Sequence, residues 1–264
     1  MSAILYAFLI LSFLGLILGI GLALADKKFA VVRDEKLVAL EEMMPGANCG
    51  GCGYAGCSAY AQAVFEGTAV PGLCIPGGKA LADKMGEVLG VEVKAPEKKV
   101  AFVFCKGNCN NSQKAYKYYG LEDCNAAALL FKGDNACKSG CLHMGSCIKV
   151  CESHAIYRDE QDNIVVDPDK CIGCGRCASV CPNQVIKLIP ADAEYAVACS
   201  SHDKGADVNK NCKAGCIGCK ICEVKFPQSG FKVENNLAAF DYATKSEDSE
   251  KAYAACPRKI IVKR

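Results

Sequence analysis

The chain opens with an apolar segment and then changes to a mixed pattern, in which apolar residues are spaced for short helices and strands. From Ala3 to Ala25 the sequence carries no charged residue and is rich in Leu, Ile, Phe and Ala. At the helical rise of about 1.5 Å per residue, this length is enough to cross a bilayer. The pattern predicts one transmembrane anchor at residues 1–26.

A cleaved signal peptide is the alternative for this segment, because Ala23-Leu24-Ala25 resembles a cleavage site. No Lys or Arg precedes the apolar run. Four basic residues follow it closely, namely Lys27, Lys28, Arg33 and Lys36. The positive-inside rule then leaves the rest of the chain in the cytoplasm. We expect a single-pass protein of the cell inner (cytoplasmic) membrane, with its C-terminal domain in the cytoplasm.

The pattern after the anchor divides the chain further. Residues 27–44 are charged and mildly amphipathic, which predicts a stalk. Within the small domain expected at residues 45–95, Leu81, Met85 and Leu89 follow at four-residue steps and predict a helix over Gly77–Leu89. A linker at Lys94–Lys99 and a β-like run at Lys99–Phe104 then open the region 96–264.

The region 96–264 contains an internal repeat. Cys147-x3-Cys151 is followed by a strand, and Cys222-x3-Phe226-Pro227 is followed by another. The repeat predicts two tandem modules, at about 130–190 and 197–264. The fold class expected is α+β: one N-terminal transmembrane helix, a small domain and the two modules.

Cysteine content changes this picture most, since 21 of the 264 residues are Cys. The run Cys171-Ile-Gly-Cys-Gly-Arg-Cys-Ala-Ser-Val-Cys181-Pro182 has the C-x2-C-x2-C-x3-C-P spacing of [4Fe-4S] ligands, whose fourth cysteine serves a neighbouring cluster. Disulfides suit short secreted chains, and zinc suits isolated quartets. Iron–sulfur clusters therefore fit best, and each module is expected to be a ferredoxin-like βαβ-βαβ fold.

The cysteines fall into sets with cluster-like spacing. The first set lies in a glycine-rich loop and predicts one cluster, with structural zinc as the alternative: Cys49, Cys52, Cys57 and Cys74. Crosswise pairing predicts two more clusters, one with Cys137, Cys141, Cys147 and Cys181, the other with Cys151, Cys171, Cys174 and Cys177. In the first of these, Met144 stands where a middle cysteine is expected, and Cys137 supplies the missing thiolate.

The cysteine set of the second module repeats that of the first module incompletely, because Phe226 stands at the position that matches Cys151. One cluster is expected there, with ligands Cys216, Cys219, Cys222 and Cys256. Five cysteines are left over. They are either inert buried thiols or a fifth cluster site with ligands Cys105, Cys124, Cys199 and Cys212, with Cys109 as an alternative ligand.

Other function classes lack their signatures. The net charge is +2 with no Trp and no basic stripe, so no nucleic-acid role is expected. The sequence has no G-x-G-x-x-G after a strand and no phosphate loop. We therefore expect electron transfer without a nucleotide site on this chain.

The anchor, the motif Met44-Pro-Gly-Ala-Asn-Cys-Gly-Gly-Cys-Gly-Tyr-Ala-Gly-Cys57 and the ferredoxin region together resemble the B subunit of the Rnf complex, a membrane-bound ferredoxin:NAD oxidoreductase that translocates ions. The resemblance covers nearly the whole chain. It implies an electron-relay subunit that accepts electrons from reduced ferredoxin and passes them to a flavin-bearing partner, among other membrane and peripheral subunits. The alternative is a membrane-tethered polyferredoxin that serves carbon monoxide dehydrogenase or a reductase resetting a redox regulator.

Overall fold

The first helix stands apart from the rest of the chain. The computed structural model describes residues 2–29, 34–244 and 246–264. Helix α1 spans Ser2–Phe29. Its segment Phe8–Asp26 has a mean hydropathy of 2.6 and is not buried, and it is the one helix among the described residues that is long and apolar enough to cross a membrane.

Three helices form the small domain: α2 (Glu35–Glu42), α3 (Cys57–Phe65) and α4 (Gly78–Leu89). Asp34 caps α2 by accepting a hydrogen bond of 2.8 Å from the Lys36 N–H. Leu40 of α2 is fully buried in one core with Tyr60 and Met85. Helix α4 confirms the helix predicted from four-residue spacing.

The expected stalk at 27–44 therefore includes a packed element. Residues 27–29 end α1, residues 30–33 lie outside the described residues, and α2 packs on the small domain through Leu40. The reason is that Leu40, the buried residue of α2, packs among residues of α3 and α4.

The region 96–264 builds its strands in antiparallel pairs, in the same order twice. The first half pairs β1 (Lys99–Val103) with β4 (Ile186–Pro190) and β2 (Ile156–Arg158) with β3 (Ile164–Val166). The second half pairs β5 (Tyr195–Val197) with β8 (Ile261–Lys263) and β6 (Phe231–Glu234) with β7 (Leu237–Phe240). Each half thus joins its first and last strands around an inner hairpin. Strand β1 lies upstream of the expected range 130–190, because a long segment separates β1 from β2 along the chain.

Short helices follow the same repeat. They are α5 (Cys124–Ala128), α6 (Ser146–Lys149), α7 (Arg176–Ser179), α8 (Gly205–Asn211), α9 (Ile221–Val224) and α10 (Glu247–Ala255). Helices α6, α7 and α9 each begin after a residue with left-handed backbone, at Gly145, Gly175 and Lys220. This sharp entry places a cysteine at the second position of each helix: Cys147, Cys177 and Cys222.

The two halves meet at the end of β1. The Phe104 N–H donates to the Val185 carbonyl at 2.7 Å, in the first half. The Lys106 N–H donates to the Ala198 carbonyl at 3.0 Å, in the second half. Cys105 is therefore held between the halves by the backbone on both of its sides.

Candidate iron–sulfur centres

Cysteines of the described chain gather into five groups of four, which we name sites A to E. Site A lies in the small domain and contains Cys49, Cys52, Cys57 and Cys74. Its loop is fastened by Asn48, whose Oδ1 accepts a hydrogen bond of 2.8 Å from the Cys57 N–H. Burial, and then the charges of the Cys52, Cys57 and Cys49 thiolates, raise the pKa of Cys74. The four thiols expected from the glycine-rich loop thus lie together.

Site B contains Cys151, Cys171, Cys174 and Cys177, the four thiols expected from crosswise pairing. Burial raises the pKa of Cys177 to about 12, and the thiolates of Cys171, Cys174, Cys147 and Cys151 contribute to this rise. The Ala101 N–H of β1 donates to Cys171 Sγ at 3.3 Å. Cys151 follows α6, whereas Cys177 lies on α7, so the two helices share this site.

Site C contains Cys124, Cys141, Cys147 and Cys181, which line one cavity with about 350 Å³ of empty space. Its other lining is mostly apolar and includes Leu142, Ile164 and Val185. Burial, followed by the thiolates of Cys124 and Cys181, raises the pKa of Cys147 to about 11.

Site C differs from the expected set, in which Cys137 stood in place of Cys124. The Cys124 N–H donates to Ser146 Oγ at 2.8 Å, and Ser146 Oγ donates to Asp123 Oδ2 at 2.8 Å. These bonds draw the start of α5 onto α6. Met144, at the position of the expected middle cysteine, packs against the same small core as Cys124. Cys124 therefore supplies the thiol that Met144 does not.

Site D contains Cys105, Cys137, Cys199 and Cys212, which line a cavity with about 370 Å³ of empty space. Three of these were expected together, and Cys137 takes the place expected for Cys124. Cys109 is exposed and lines none of the cavities of sites C, D and E. Burial raises the pKa of Cys105 to about 12, although N–H groups of Cys141 and Gly107 lower it.

The sequence carries a signal for Cys137 that spacing alone does not reveal. Cys137-Lys-Ser-Gly-Cys141 and Cys212-Lys-Ala-Gly-Cys216 share the pattern C-K-x-G-C. In both, the first cysteine lines site D and the second lines a neighbouring site. Matching these segments would have grouped Cys137 with Cys212.

Site E contains Cys216, Cys219, Cys222 and Cys256, as expected, around about 370 Å³ of empty space. Cys256 precedes Pro257 and its carbonyl accepts the Lys259 N–H at 3.0 Å, just as the Cys181 carbonyl accepts the Gln184 N–H at 3.1 Å. Phe226 follows α9 as Cys151 follows α6, and it packs half-buried against the apolar core of the second half. The structural repeat therefore agrees with the sequence repeat.

The thiols surround cavities instead of converging on single points. Among residues 2–29, 34–244 and 246–264, no three His, Cys, Asp or Glu side chains are placed to hold one metal ion. A [4Fe-4S] cluster needs the wider arrangement, because each thiolate binds a different iron. Apolar walls and backbone N–H donors to sulfur also suit such a cluster.

Two family models match the chain. A model for an Fe-S cluster domain matches residues 44–76, and a model for a 4Fe-4S binding domain matches residues 164–187. The first range holds site A and the second holds three thiols of site B. Together with the cysteine groups, the matches define an iron–sulfur electron-transfer protein.

Relatives cover nearly the whole chain. The B subunit of the Na(+)-translocating ferredoxin:NAD(+) oxidoreductase complex of Acetobacterium woodii is 38% identical over 99% of this chain and 78% of its own length. The B subunit of the ion-translocating oxidoreductase complex of Methanosarcina acetivorans is 37% identical over 98% of both chains. The proton-translocating counterpart of Clostridium ljungdahlii is 39% identical over 99% of this chain and 93% of its own. The chain belongs to the family of B subunits of Rnf-type ion-translocating ferredoxin:NAD oxidoreductase complexes.

Proposed function

We propose that this chain holds five [4Fe-4S] clusters, at sites A to E, and relays electrons from reduced ferredoxin to a flavin-bearing partner subunit. The observation that carries the proposal is the gathering of 20 of the 21 cysteines into five four-thiol groups. Cys109 alone stands outside. A cluster bound at such a site supplies reversible one-electron transfer, at a potential set by hydrogen bonds to sulfur and by burial.

The residues at the sites fit this cofactor. Backbone N–H groups donate to Cys171, Cys105 and Cys199 sulfurs at 3.3, 3.3 and 3.4 Å. Such bonds stabilise a thiolate and raise the potential of the cluster it holds. The paired outer strands and inner hairpins of 99–190 and 195–263 support tandem ferredoxin-like modules.

Membership of the family supports ferredoxin as the donor and other subunits of a complex as partners. The relatives from A. woodii and C. ljungdahlii are named as ferredoxin:NAD(+) oxidoreductase subunits. A soluble donor needs a site near the surface, and Cys219 of site E is exposed. Helix α1 would hold the chain in the cytoplasmic membrane as a single span, and the basic residues that follow the apolar segment support a cytoplasmic C-terminal domain.

Electron uptake can be measured directly. The anaerobically purified full chain is mixed with chemically reduced ferredoxin in a stopped-flow instrument. We expect the visible iron–sulfur absorbance of the chain to bleach as the ferredoxin is oxidised. A chain that carries clusters but takes no electrons from ferredoxin would overturn the proposed donor.

The partner is tested by affinity purification from the native membrane. We expect a flavin-bearing subunit and several integral membrane subunits to accompany the chain. Recovery with carbon monoxide dehydrogenase, or with no membrane subunit, would instead support a tethered polyferredoxin.

A further inference from the structure

Site D is built from matching parts of the two modules. Cys105 follows β1 and Cys199 follows β5, which are the first strands of their modules. Cys137 and Cys212 are the first cysteines of the two C-K-x-G-C segments. Each module thus contributes two thiols from equivalent positions, and neither module could form the site alone.

The second cysteines of those segments tie site D to its neighbours. The Cys141 N–H, at site C, donates to Cys105 Sγ at 3.3 Å. The Cys216 N–H, at site E, donates to Cys199 Sγ at 3.4 Å. A residue of each neighbouring site is therefore hydrogen-bonded to a sulfur of site D, in the same way on both sides.

Sites C and E have no such direct link: among the described residues, no backbone N–H of a cysteine at one of these two sites donates to a cysteine sulfur at the other. Gly140 and Gly215, which line site D, directly precede Cys141 and Cys216. Arg258, which lines site E, is a further connection between sites D and E. Its guanidinium donates to the Cys212 carbonyl at 2.7 Å and to the Gly215 carbonyl at 3.1 Å.

From this arrangement we infer that site D is the junction in series between the two modules, so that electrons cross between site C and site E through the Cys141–Cys105 and Cys199–Cys216 contacts. The inference rests on the proposed function. Each crossing would move one electron: a cluster at site E would lose one electron to site D, and site D would pass that electron on to site C. No bond forms or breaks and no proton moves.

The remaining sites extend the series on one side. A Cβ at Gly51, in the loop of site A, would lie 2.9 Å from the Cys174 carbonyl of site B. Sites B and C share α6 and α7, whose cysteines serve both. The full order is therefore A, B, C, D, E.

The junction is tested by emptying site D in the full-length chain. The double variant Cys105→Ala with Cys199→Ala removes both sulfurs that accept the bridging N–H groups, and Cys109→Ala, at the spare exposed cysteine, is the matched control. Iron per chain and the EPR spectrum of the fully reduced protein are measured. We expect the double variant to lose about four irons. The line broadening from spin–spin interaction should disappear for the cluster at site E and decrease for the cluster at site C, which keeps site B as its other neighbour, while Cys109→Ala should match the parent chain.

Single variants test the contact of site D with site C and its contact with site E one at a time. They also provide a test if the double variant folds poorly. Cys105→Ser and Cys199→Ser keep an oxygen ligand at the site. We expect Cys105→Ser to alter the interaction with site C, and Cys199→Ser that with site E, with each signal assigned from variants that lack site C or site E. The junction would be overturned if the double variant kept the iron content of the parent chain. It would also be overturned if the iron were lost but the spin–spin interactions of the clusters at sites C and E stayed unchanged. A parent chain without iron would instead overturn the proposed function.

Discussion

At the scale of single residues, burial controls the chemistry of the thiols. Burial raises the pKa of Cys105 and of Cys177 to about 12, and the pKa of Cys147 and of Cys222 to about 11. In the absence of iron these side chains are therefore neutral at physiological pH, which removes the repulsion that several thiolates in one cavity would create.

The raised pKa values predict how cluster retention depends on pH. Iron binds only the thiolate, so Cys105, with a pKa raised to about 12, and Cys147, with a pKa raised to about 11, must each release a proton before they bind it. Lower pH then favours the thiol and cluster loss, and higher pH favours retention. We expect iron release to a chelator, followed by visible absorbance, to be faster at weakly acidic than at weakly alkaline pH. The opposite trend would mean that thiol protonation does not govern release.

Ser146 tests whether Cys124 belongs to site C. Its hydroxyl accepts from the Cys124 N–H and donates to Asp123, so Ser146→Ala should cost about 1–3 kcal/mol at this link. We expect a fraction of the iron of site C to be lost on purification, measured as iron per chain. Ser179→Ala removes a hydroxyl whose one hydrogen bond, to the Arg176 carbonyl, is exposed, and should retain full iron. Equal iron in the two variants would contradict the role of Ser146.

At the scale of elements, α2 joins the helix expected to cross the membrane to site A. Its Leu40 is fully buried among residues of α3 and α4. The sequence predicted a stalk here because only the sparse apolar residues of one helix face were visible, and the surface they cover is formed by α3 and α4 further along the chain.

Leu40→Ala measures this packing. Truncating a fully buried leucine costs about 2–5 kcal/mol, so we expect a lower thermal midpoint for the small domain. Leu121→Ala is the matched control, because Leu121 is 75% exposed. If Leu40→Ala lowered the thermal midpoint as little as Leu121→Ala does, α2 would be a stalk that does not pack on the small domain.

Local spacing predicts the elements that lie within one turn and fails for those that meet through tertiary contact. The sequence alone reveals features that depend on neighbours a few residues away. These are the C-x2-C-x2-C runs, the proline after Cys181 and Cys256, and the repeat with Phe226. The exchange of Cys124 and Cys137 is not among them, because it depends on the Asp123–Ser146–Cys124 contacts across 23 residues. Likewise, β1 joins the first module through pairing with β4, far along the chain.

At the scale of the whole molecule, glycines allow the sites to approach one another. Gly51 lies so close to the Cys174 carbonyl that an added Cβ would sit 2.9 Å away. Backbone of site A and backbone of site B therefore touch at a point where no side chain fits.

Gly51→Ala tests this approach. We expect the loop of site A to shift away from site B, since the Cys174 backbone is held within the site and cannot yield easily. The iron content should stay at the parent value, while the EPR interaction between the clusters of A and B weakens. Gly19→Ala, where an added Cβ meets nothing within 4 Å, is the control. An unchanged interaction in Gly51→Ala would place the contact between A and B elsewhere.

The most direct measurement is the count of iron and acid-labile sulfide in the anaerobically purified full chain, together with its EPR spectrum after reduction. Five sites with four irons each predict about twenty irons and about twenty sulfides per chain, with signals of reduced [4Fe-4S] clusters. A colourless protein without labile sulfide, or one that contains zinc as its metal, would contradict the account.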